Sequence, residues 1–402
     1  MREVVIIGGG YAGVRAMQRL SKEDFKITLI DQKPYHYLQT EAYALIAQRA
    51  TLVDVSVDLV TLCRSYKNVD FINSCVENID FEKMVVYCKD SSYSYDYLVL
   101  AMGSRTNFPP VVKGLKEYSN GVKSLYHAFA FRQKFENELF MRMRSETDSE
   151  CRSFNVVIAG AGLSGVEIAA EMACYTEEFM RSNRMVCDSI QIYLISAGKS
   201  VLEGLDRYLI KKSEQRLKEL GVVLRLNTLV NEVKDGLAVL SSGEEIIFDF
   251  MIFAGGITAS SLTRSIDVER NRIGQIIVKP DLSVAEHQGV FAIGDSAELR
   301  DKELNIVAPT ANSAEKSAEV VAKNISLDAE GREMLEADLK LEGVMVALGR
   351  NSASVVLFDK IKFSGLLGYW LKKLITFRYK YLLDRDALRA YREIKMSKRE
   401  RI

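Results

Sequence analysis

The chain has 402 residues, 48% of them hydrophobic and 27% charged, with 54 Lys and Arg balanced by 54 Asp and Glu. That length exceeds one ordinary core and implies two or three domains, and the composition is that of a globular protein rather than a disordered or fibrous one. No uninterrupted apolar run of ~18 residues occurs, which argues against a spanning helix.

The first element is an apolar strand, Val4-Val5-Ile6-Ile7, entering Gly8-Gly9-Gly10-Tyr11-Ala12-Gly13 and then a helix through residue 20. A strand at Val4 leaves no room for a leader peptide. Gly8 allows a sharp turn, Gly10 lets backbone approach a pyrophosphate, and Gly13 lets helix pack closely on strand. Ile27-Thr28-Leu29-Ile30 is the next strand, and Asp31 closes it 18 residues past Gly13, where a carboxylate can bind a ribose 2′-OH, with Gln32 beside it. Tyr95 to Gly103 is a further buried strand ending in a glycine turn.

Residues 124–145 carry a helical pattern, and a polar break from Ser145 to Cys151 precedes a second copy of the fingerprint. Val156-Val157-Ile158-Ala159 leads into Gly160-Ala161-Gly162-Leu163-Ser164-Gly165, about 150 residues after the first. Its second strand, Ile190 to Ile195, is closed by Ser196 rather than an acid, with Lys199 nearby; Phe248 to Phe253 then ends in Ala254-Gly255-Gly256. The repeat therefore covers more than the glycine loops. Alternating strands and helices of this kind predict an α/β protein with two Rossmann-like units, each a parallel sheet covered on both faces. Two such units imply two dinucleotides.

Toward the C-terminus, Val290 to Ile293 is a strand ending in Gly294-Asp295, and Thr310-Ala311 opens a helical pattern over 311–325. The six cysteines, 63, 75, 88, 151, 174 and 187, contain no CxxC pair, as in a reduced intracellular protein. Three histidines, 36, 127 and 287, offer no metal cluster. Lys360 to Ile402 holds 13 Lys and Arg against 4 Asp and Glu, interleaved with Leu366, Leu367, Trp370, Leu374 and Phe377. Too charged to span a bilayer, this segment suits a helix lying among lipid headgroups, where its lone tryptophan also belongs. A helix packed on the body or at a dimer contact is the alternative. Nucleic acid has no accompanying motif.

Taken together, the two fingerprints and the Gly-Asp turn resemble the two-dinucleotide-binding-domain flavoproteins, and several segments resemble the type II NADH dehydrogenases within them. These are Pro34 to Glu41, Gly160 to Glu167, Pro309-Thr310-Ala311, Leu348-Gly349-Arg350-Asn351 and Trp370 to Leu374. The resemblance implies FAD in a first unit made of residues 1–112 and 259–335, NADH or NADPH in a unit of residues 113–258, and a membrane-associating region from 336 to 402. It implies that Gly8, Gly10, Tyr11, Ala12, Gly13, Asp31, Gln32, Gly103, Gly294, Asp295, Thr310 and Ala311 hold FAD. The nicotinamide nucleotide falls to Gly160, Gly162, Leu163, Ser164, Gly165, Ser196, Gly255 and Gly256. Glu167 is implied in proton or charge transfer between flavin and nicotinamide, against the simpler reading of a carboxylate favoured at a helix N-terminus. The activity implied is two-electron transfer from NAD(P)H through FAD to a membrane quinone, without proton pumping. The location implied is the cytoplasmic face of the cell membrane, on an anionic lipid surface, with a homodimer allowed.

Two departures from that family stand out. Ser196 replaces a usual glutamate, so a 2′-phosphate is not repelled there. Asn312 and Lys316 replace two glutamines that line the quinone pocket. A related reductase with a soluble acceptor, or a redox-sensing flavoprotein, therefore remains a rival reading.

Overall fold

A computed structural model describes residues 1–144, 154–183, 190–285 and 287–399. The polar break at Ser145 to Cys151, and with it Cys151 and Cys187, lies outside those residues. Cys63, Cys88 and Cys174 are buried thiols and Cys75 is exposed.

Two parallel sheets carry the architecture. The first runs in the order Val290–Ala292, Tyr97–Leu100, Arg2–Ile7, Phe25–Asp31, Val69–Asn73, every neighbour parallel. Val4 to Ile7 are at most 5% exposed, because helices cover both faces and such strands must be apolar throughout. The second sheet has the order Val223–Arg225, Ile190–Ile195, Phe154–Ala159, Phe250–Phe253, again all parallel. In each, the strand that feeds the glycine loop is central, and its last residue pairs with the end of the later strand: Ile7 with Leu100, Ala159 with Phe253. Each unit also has its own three-stranded antiparallel meander, Val76 to Ser94 in one and Val230 to Ile247 in the other. The chain leaves the first sheet after Leu100, builds the second, and returns with Val290–Ala292 as the edge strand of the first.

The helix Ala311–Ala329 follows that return and packs along the first glycine-loop helix, Tyr11–Leu20. An antiparallel sheet of Gly343–Ala347, Ala353–Leu357 and Ile361–Gly365 comes next. The hairpin between its first two strands explains the Leu348-Gly349-Arg350-Asn351 segment. Gly349 has φ +66°, and a Cβ there would lie 2.5 Å from Cys174 Sγ and 2.6 Å from Ala170 O. Only glycine lets the turn sit on the second glycine-loop helix, Leu163–Ser182.

The chain ends in a long helix, Leu366–Arg399. One face is covered: Lys372, Thr376 and Tyr379 bond to the body, and Leu383 is 1% exposed within the first unit's core. The other face leaves Leu367, Trp370, Leu374, Phe377, Tyr381 and Leu388 exposed, at the three- and four-residue spacing of a single stripe. Among the described residues no helix is long and apolar enough to cross a membrane.

Candidate functional site

The two glycine loops repeat each other residue by residue. Gly8 has φ +111° and Gly160 φ +115°, a backbone region that side chains avoid. A Cβ at Gly8 would lie 2.2 Å from Ala101 O, and one at Gly160 2.4 Å from the Ala254 carbonyl carbon. At Gly13 and Gly165 it would meet the carbonyl oxygens of Gly8 and Gly160, respectively, at 1.8 Å. Gly10 and Gly162 differ: nothing lies within 4 Å of the same position, and both face outward just before a helix starts. Each loop is thus closed toward the sheet and open toward solvent at the helix N-terminus, a shape that fits a pyrophosphate on backbone N–H groups. Tyr11 and Ala12, like Leu163 and Ser164, form the opening turns of these helices.

Asp31 ends its strand beside the first loop. Its Oδ2 accepts from Gly9 N–H at 2.6 Å and Oδ1 from Lys33 N–H at 2.8 Å. Burial raises its carboxyl above the ordinary aspartate range despite both bonds. Gln32 beside it is exposed. Gly294 closes the cradle from another side. With φ +62°, a Cβ there would sit 3.0 Å from Ala12 Cβ and 3.5 Å from Ala314 Cβ, so the glycine-loop helix, the Gly-Asp turn and the 311–329 helix meet at this point. Asp295 Oδ2 accepts from Lys123 Nζ at 2.8 Å and Ser104 Oγ at 2.5 Å, while Gly103 N–H donates to Ser296 Oγ at 3.0 Å. Thr310 caps the helix that begins at Ala311: its hydroxyl accepts from Ser313 N–H, and Ser313 Oγ accepts from Thr310 N–H. That N-terminus is therefore fixed in direction, with its dipole aimed past the cap.

Three buried side chains, Glu167, Glu41 and His36, tie the C-terminal helix to this centre. Glu167 is 8% exposed, and its Oε1 accepts from Ala347 N–H at 2.9 Å and Lys372 Nζ at 2.7 Å. Burial opposes the charge on Lys372, yet the Glu167 and Glu41 carboxylates outweigh it and hold the ammonium above the ordinary lysine range. Glu41, 4% exposed, takes Lys373 Nζ at 3.1 Å and Thr376 Oγ1 at 3.0 Å. Glu171, a turn beyond Glu167, pairs instead with Arg49 at 3.1 Å. Glu167 is thus an ion-pair partner, more than the helix-end carboxylate of the simpler reading.

His36 is fully buried between the first glycine loop and the C-terminal helix. Its Nδ1 lies 3.1 Å from Gly9 O and its Nε2 3.0 Å from the Tyr379 hydroxyl. A carbonyl can only accept, so Nδ1 carries the proton and Nε2 accepts from Tyr379. Burial lowers the imidazole to about 4, against the Gly9 carbonyl bond that favours its charged form, so His36 is neutral at pH 7. Tyr11 packs edge-on against His36 at 4.9 Å and tilted against Tyr379 at 5.2 Å.

In the second unit Ser196 accepts from Gly198 N–H at 3.2 Å, closing its own strand tip. Lys199 N–H lies 3.5 Å from Glu203 Oε1, so a carboxylate absent from the strand tip stands a few residues away. Gly255 and Gly256 are exposed beyond the last strand of that sheet. Asn312 is exposed on the first turn of its helix, whereas Lys316 is tied down, donating to Lys340 O at 2.7 Å and Glu342 Oε1 at 3.0 Å.

Comparison with known proteins fits this geometry. The family model for pyridine nucleotide-disulphide oxidoreductases matches residues 2–318. The chain belongs to that family. Among similar sequences, the type II NADH:quinone oxidoreductase of Haemophilus influenzae is 29% identical, covering 90% of this chain and 88% of its own length. The demethylphylloquinone reductase NdbB of a Synechocystis strain is 27% identical over 92% and 90%. Among solved structures, NDH2 of Plasmodium falciparum in complex with NADH superposes with a TM-score of 0.86 at 16% identity, covering 98% of both chains. The sulfide:quinone oxidoreductase of Aquifex aeolicus gives 0.81 at 20% identity, over 96% and 92%.

Within this pyridine nucleotide-disulphide oxidoreductase, sequence reading named the glycine loops and Asp295 but missed Lys123, Lys372, Glu41 and Tyr379. Lys123 lies 172 positions from Asp295 and Lys372 205 from Glu167. No spacing rule reaches that far. The one local signal for Lys372 was its place in the Trp370 to Leu374 segment.

Proposed function

We propose that this chain is an FAD-dependent NAD(P)H:quinone oxidoreductase, acting as a peripheral protein at the cytoplasmic face of a membrane. The observation that carries the reading is the pair of matching cradles, each open at Gly10 or Gly162 and closed elsewhere. Gly8, Gly10 and Gly13, with Tyr11 and Ala12, would hold the pyrophosphate of FAD on helix N–H groups. Asp31, with Gln32, would release Gly9 N–H to meet the ribose. Gly103, Gly294 and Asp295, the last held by Lys123 and Ser104, would hold the inner part of the same cofactor, and Thr310 and Ala311 would direct a helix N-terminus at the flavin edge where negative charge develops. Gly160, Gly162, Leu163, Ser164, Gly165, Ser196, Gly255 and Gly256 would hold the nicotinamide nucleotide.

When bound, FAD supplies the two-electron relay, and the chain's residues orient, shield and balance charge. Burial pushes the Glu167 carboxyl up, and Lys372, donating to it, offsets part of that rise. His36, neutral and bonded on both nitrogens, keeps the first loop rigid. Asn312 would line the quinone entrance, with Lys316 behind it on Glu342. The exposed stripe from Leu367 to Leu388 supports contact with a lipid surface, and its one-sided spacing would equally suit a homodimer. The names and lengths of the curated relatives support the quinone as acceptor.

The test is anaerobic. NADH or NADPH added to the purified yellow protein is expected to bleach the flavin, and a short-chain quinone to restore the colour. Bleaching that quinone cannot reverse would leave a reductase with another acceptor. A colourless protein that cannot take up FAD would overturn the assignment.

A further inference from the structure

A cavity of about 460 Å³ lies between the first glycine-loop helix and the C-terminal helix. One wall is the first glycine-loop helix, where Arg15 and Arg19 lie one turn apart and Lys22 follows just past the helix end. The other is the C-terminal helix, through Tyr379, Leu382 and Arg385. Tyr66 joins the two: its hydroxyl donates to Asp386 Oδ2 at 2.8 Å and accepts from Gln18 Nε2 at 3.3 Å.

The charges there do not cancel. Arg15 and Arg19 share one carboxylate oxygen, Glu319 Oε1, at 2.5 and 2.6 Å. Arg385 leans on Asp386 at 3.2 Å, and Lys22 has no ion-pair partner among the described residues. Glu315 also faces Arg15 and Arg19 from the inner side, and four cations still exceed three carboxylates. Leu382 and Tyr379 add an apolar wall, and Tyr381 and Leu388 stand exposed on the same helix beside Arg385. Excess cation in a cleft that continues into exposed apolar surface matches a phosphate carried on acyl chains.

We propose that this cavity binds the phosphate headgroup of an anionic phospholipid, whose acyl chains lie along Tyr381 and Leu388. The proposal rests on the membrane-surface reading above, and it ties the helix that would meet lipid to the helix that starts at the flavin cradle. The headgroup would bridge Lys22 and Arg385 and so clamp one helix on the other.

Thermal unfolding of the full-length protein tests it without a membrane. Dihexanoyl phosphatidylglycerol below its micellar concentration is expected to raise the melting temperature, and glycerol 3-phosphate or dihexanoyl phosphatidylcholine to raise it less. The Lys22→Gln/Arg385→Gln variant should lose the rise. A rise matched by inorganic phosphate would overturn the lipid assignment, and no rise with any probe would overturn the site. Vesicles of phosphatidylglycerol supply the second arm. Each cation near an anionic surface is worth about fivefold in affinity, so the double variant should bind on the order of tenfold or more weakly. Removing the same charge outside the cavity, in Arg378→Gln/Lys360→Gln, should weaken binding less, and equal weakening would overturn the cavity's role. Wild-type protein that ignores these vesicles would remove the membrane reading, while the soluble-lipid arm would still decide the cavity.

Discussion

The two nucleotide cradles share one backbone and differ in what surrounds it. The first is closed on its outer side by chain from far away: His36, Tyr11 and Tyr379 pack together behind Gly9. The second is closed at the matching carbonyl by nearby chain, Leu202 N–H donating to Ala161 O at 2.8 Å, while Ala197 and Lys199 at its strand tip are exposed. A cofactor that stays bound through every turnover calls for the first arrangement, and a nucleotide that must enter and leave for the second. Duplicated sequence gives the same cradle twice, and the C-terminal helix adds an aromatic layer to the first through Tyr379 and an ion pair to the second through Lys372.

The sharpest way to break that comparison is to damage the cradles one at a time. A Cβ at Gly13 or Gly165 would lie 1.8 Å from a carbonyl oxygen in a packed loop. Either alanine variant is expected to destabilise its own unit by roughly 4 kcal/mol, the scale of the severest single substitutions. Gly13→Ala should come off the column colourless. Gly165→Ala should stay yellow yet resist bleaching by NADH. Flavin loss in both variants to the same degree, read from absorbance near the flavin band, would mean the cradles are not independent.

Next in size is the clamp made by the C-terminal helix. Lys372→Ala would leave Glu167 buried and unpaired, which costs about 3–5 kcal/mol. Lys372→Ala with Glu167→Gln should recover much of that, since a neutral amide can still accept from Ala347 N–H. Cutting the chain after Lys360 removes Lys372, Thr376 and Tyr379 together, so such a protein is expected to lose flavin as well as membrane contact. A truncated protein that keeps its FAD and melts as the full chain does would show the helix to be a passive appendage.

The buried histidine gives the first cradle a pH effect of its own. His36 sits near 4 in the folded protein and close to 6.5 when unfolded. Between those values the unfolded chain binds the extra proton, so stability falls as pH falls from about 6.5 to 4, by roughly 3 kcal/mol in all. His36→Gln keeps polar atoms in the pocket without that titration. Its melting temperature should start lower at pH 7 and decline less on acidification, a difference that parallel melts at several pH values would read.

The order of elements was legible because local rules govern it. Glycines needed for φ and for close approach, apolar runs needed for parallel strands, and the Thr310-Ala311 helix start all act over a few residues. The long-range pairs were not legible. Asp31 was read as a ribose ligand from its spacing, and spacing does not show that its carboxylate also holds the Gly9 and Lys33 N–H groups. The segment from Lys360 onward was read as lipid-facing, with packing on the body as the alternative, and one face of its helix bonds to Glu41, Glu167 and His36 while the other is exposed. A helix that serves two surfaces carries both patterns at once, and a mean over it hides each.

The smallest effect concerns which nucleotide enters the open cradle. Ser196 places a hydroxyl where a carboxylate would repel a 2′-phosphate, and Lys199 adds a cation to the same loop. Glu203, whose carboxylate lies 3.5 Å from Lys199 N–H, works in the opposite sense. Ser196→Glu is expected to move the ratio of kcat/KM for NADH over NADPH upward by about 1–3 kcal/mol, and Glu203→Gln to move it downward by less, because that side chain is exposed and screened by salt. Steady-state rates with both nucleotides and one short-chain quinone would measure each shift. If Ser196→Glu leaves the ratio unchanged while Glu203→Gln lowers it, the discriminating acid of this unit has moved from the strand tip to the loop. If neither moves it, the adenosine ribose does not sit at this strand tip, and the likeness between the two cradles ends at the pyrophosphate.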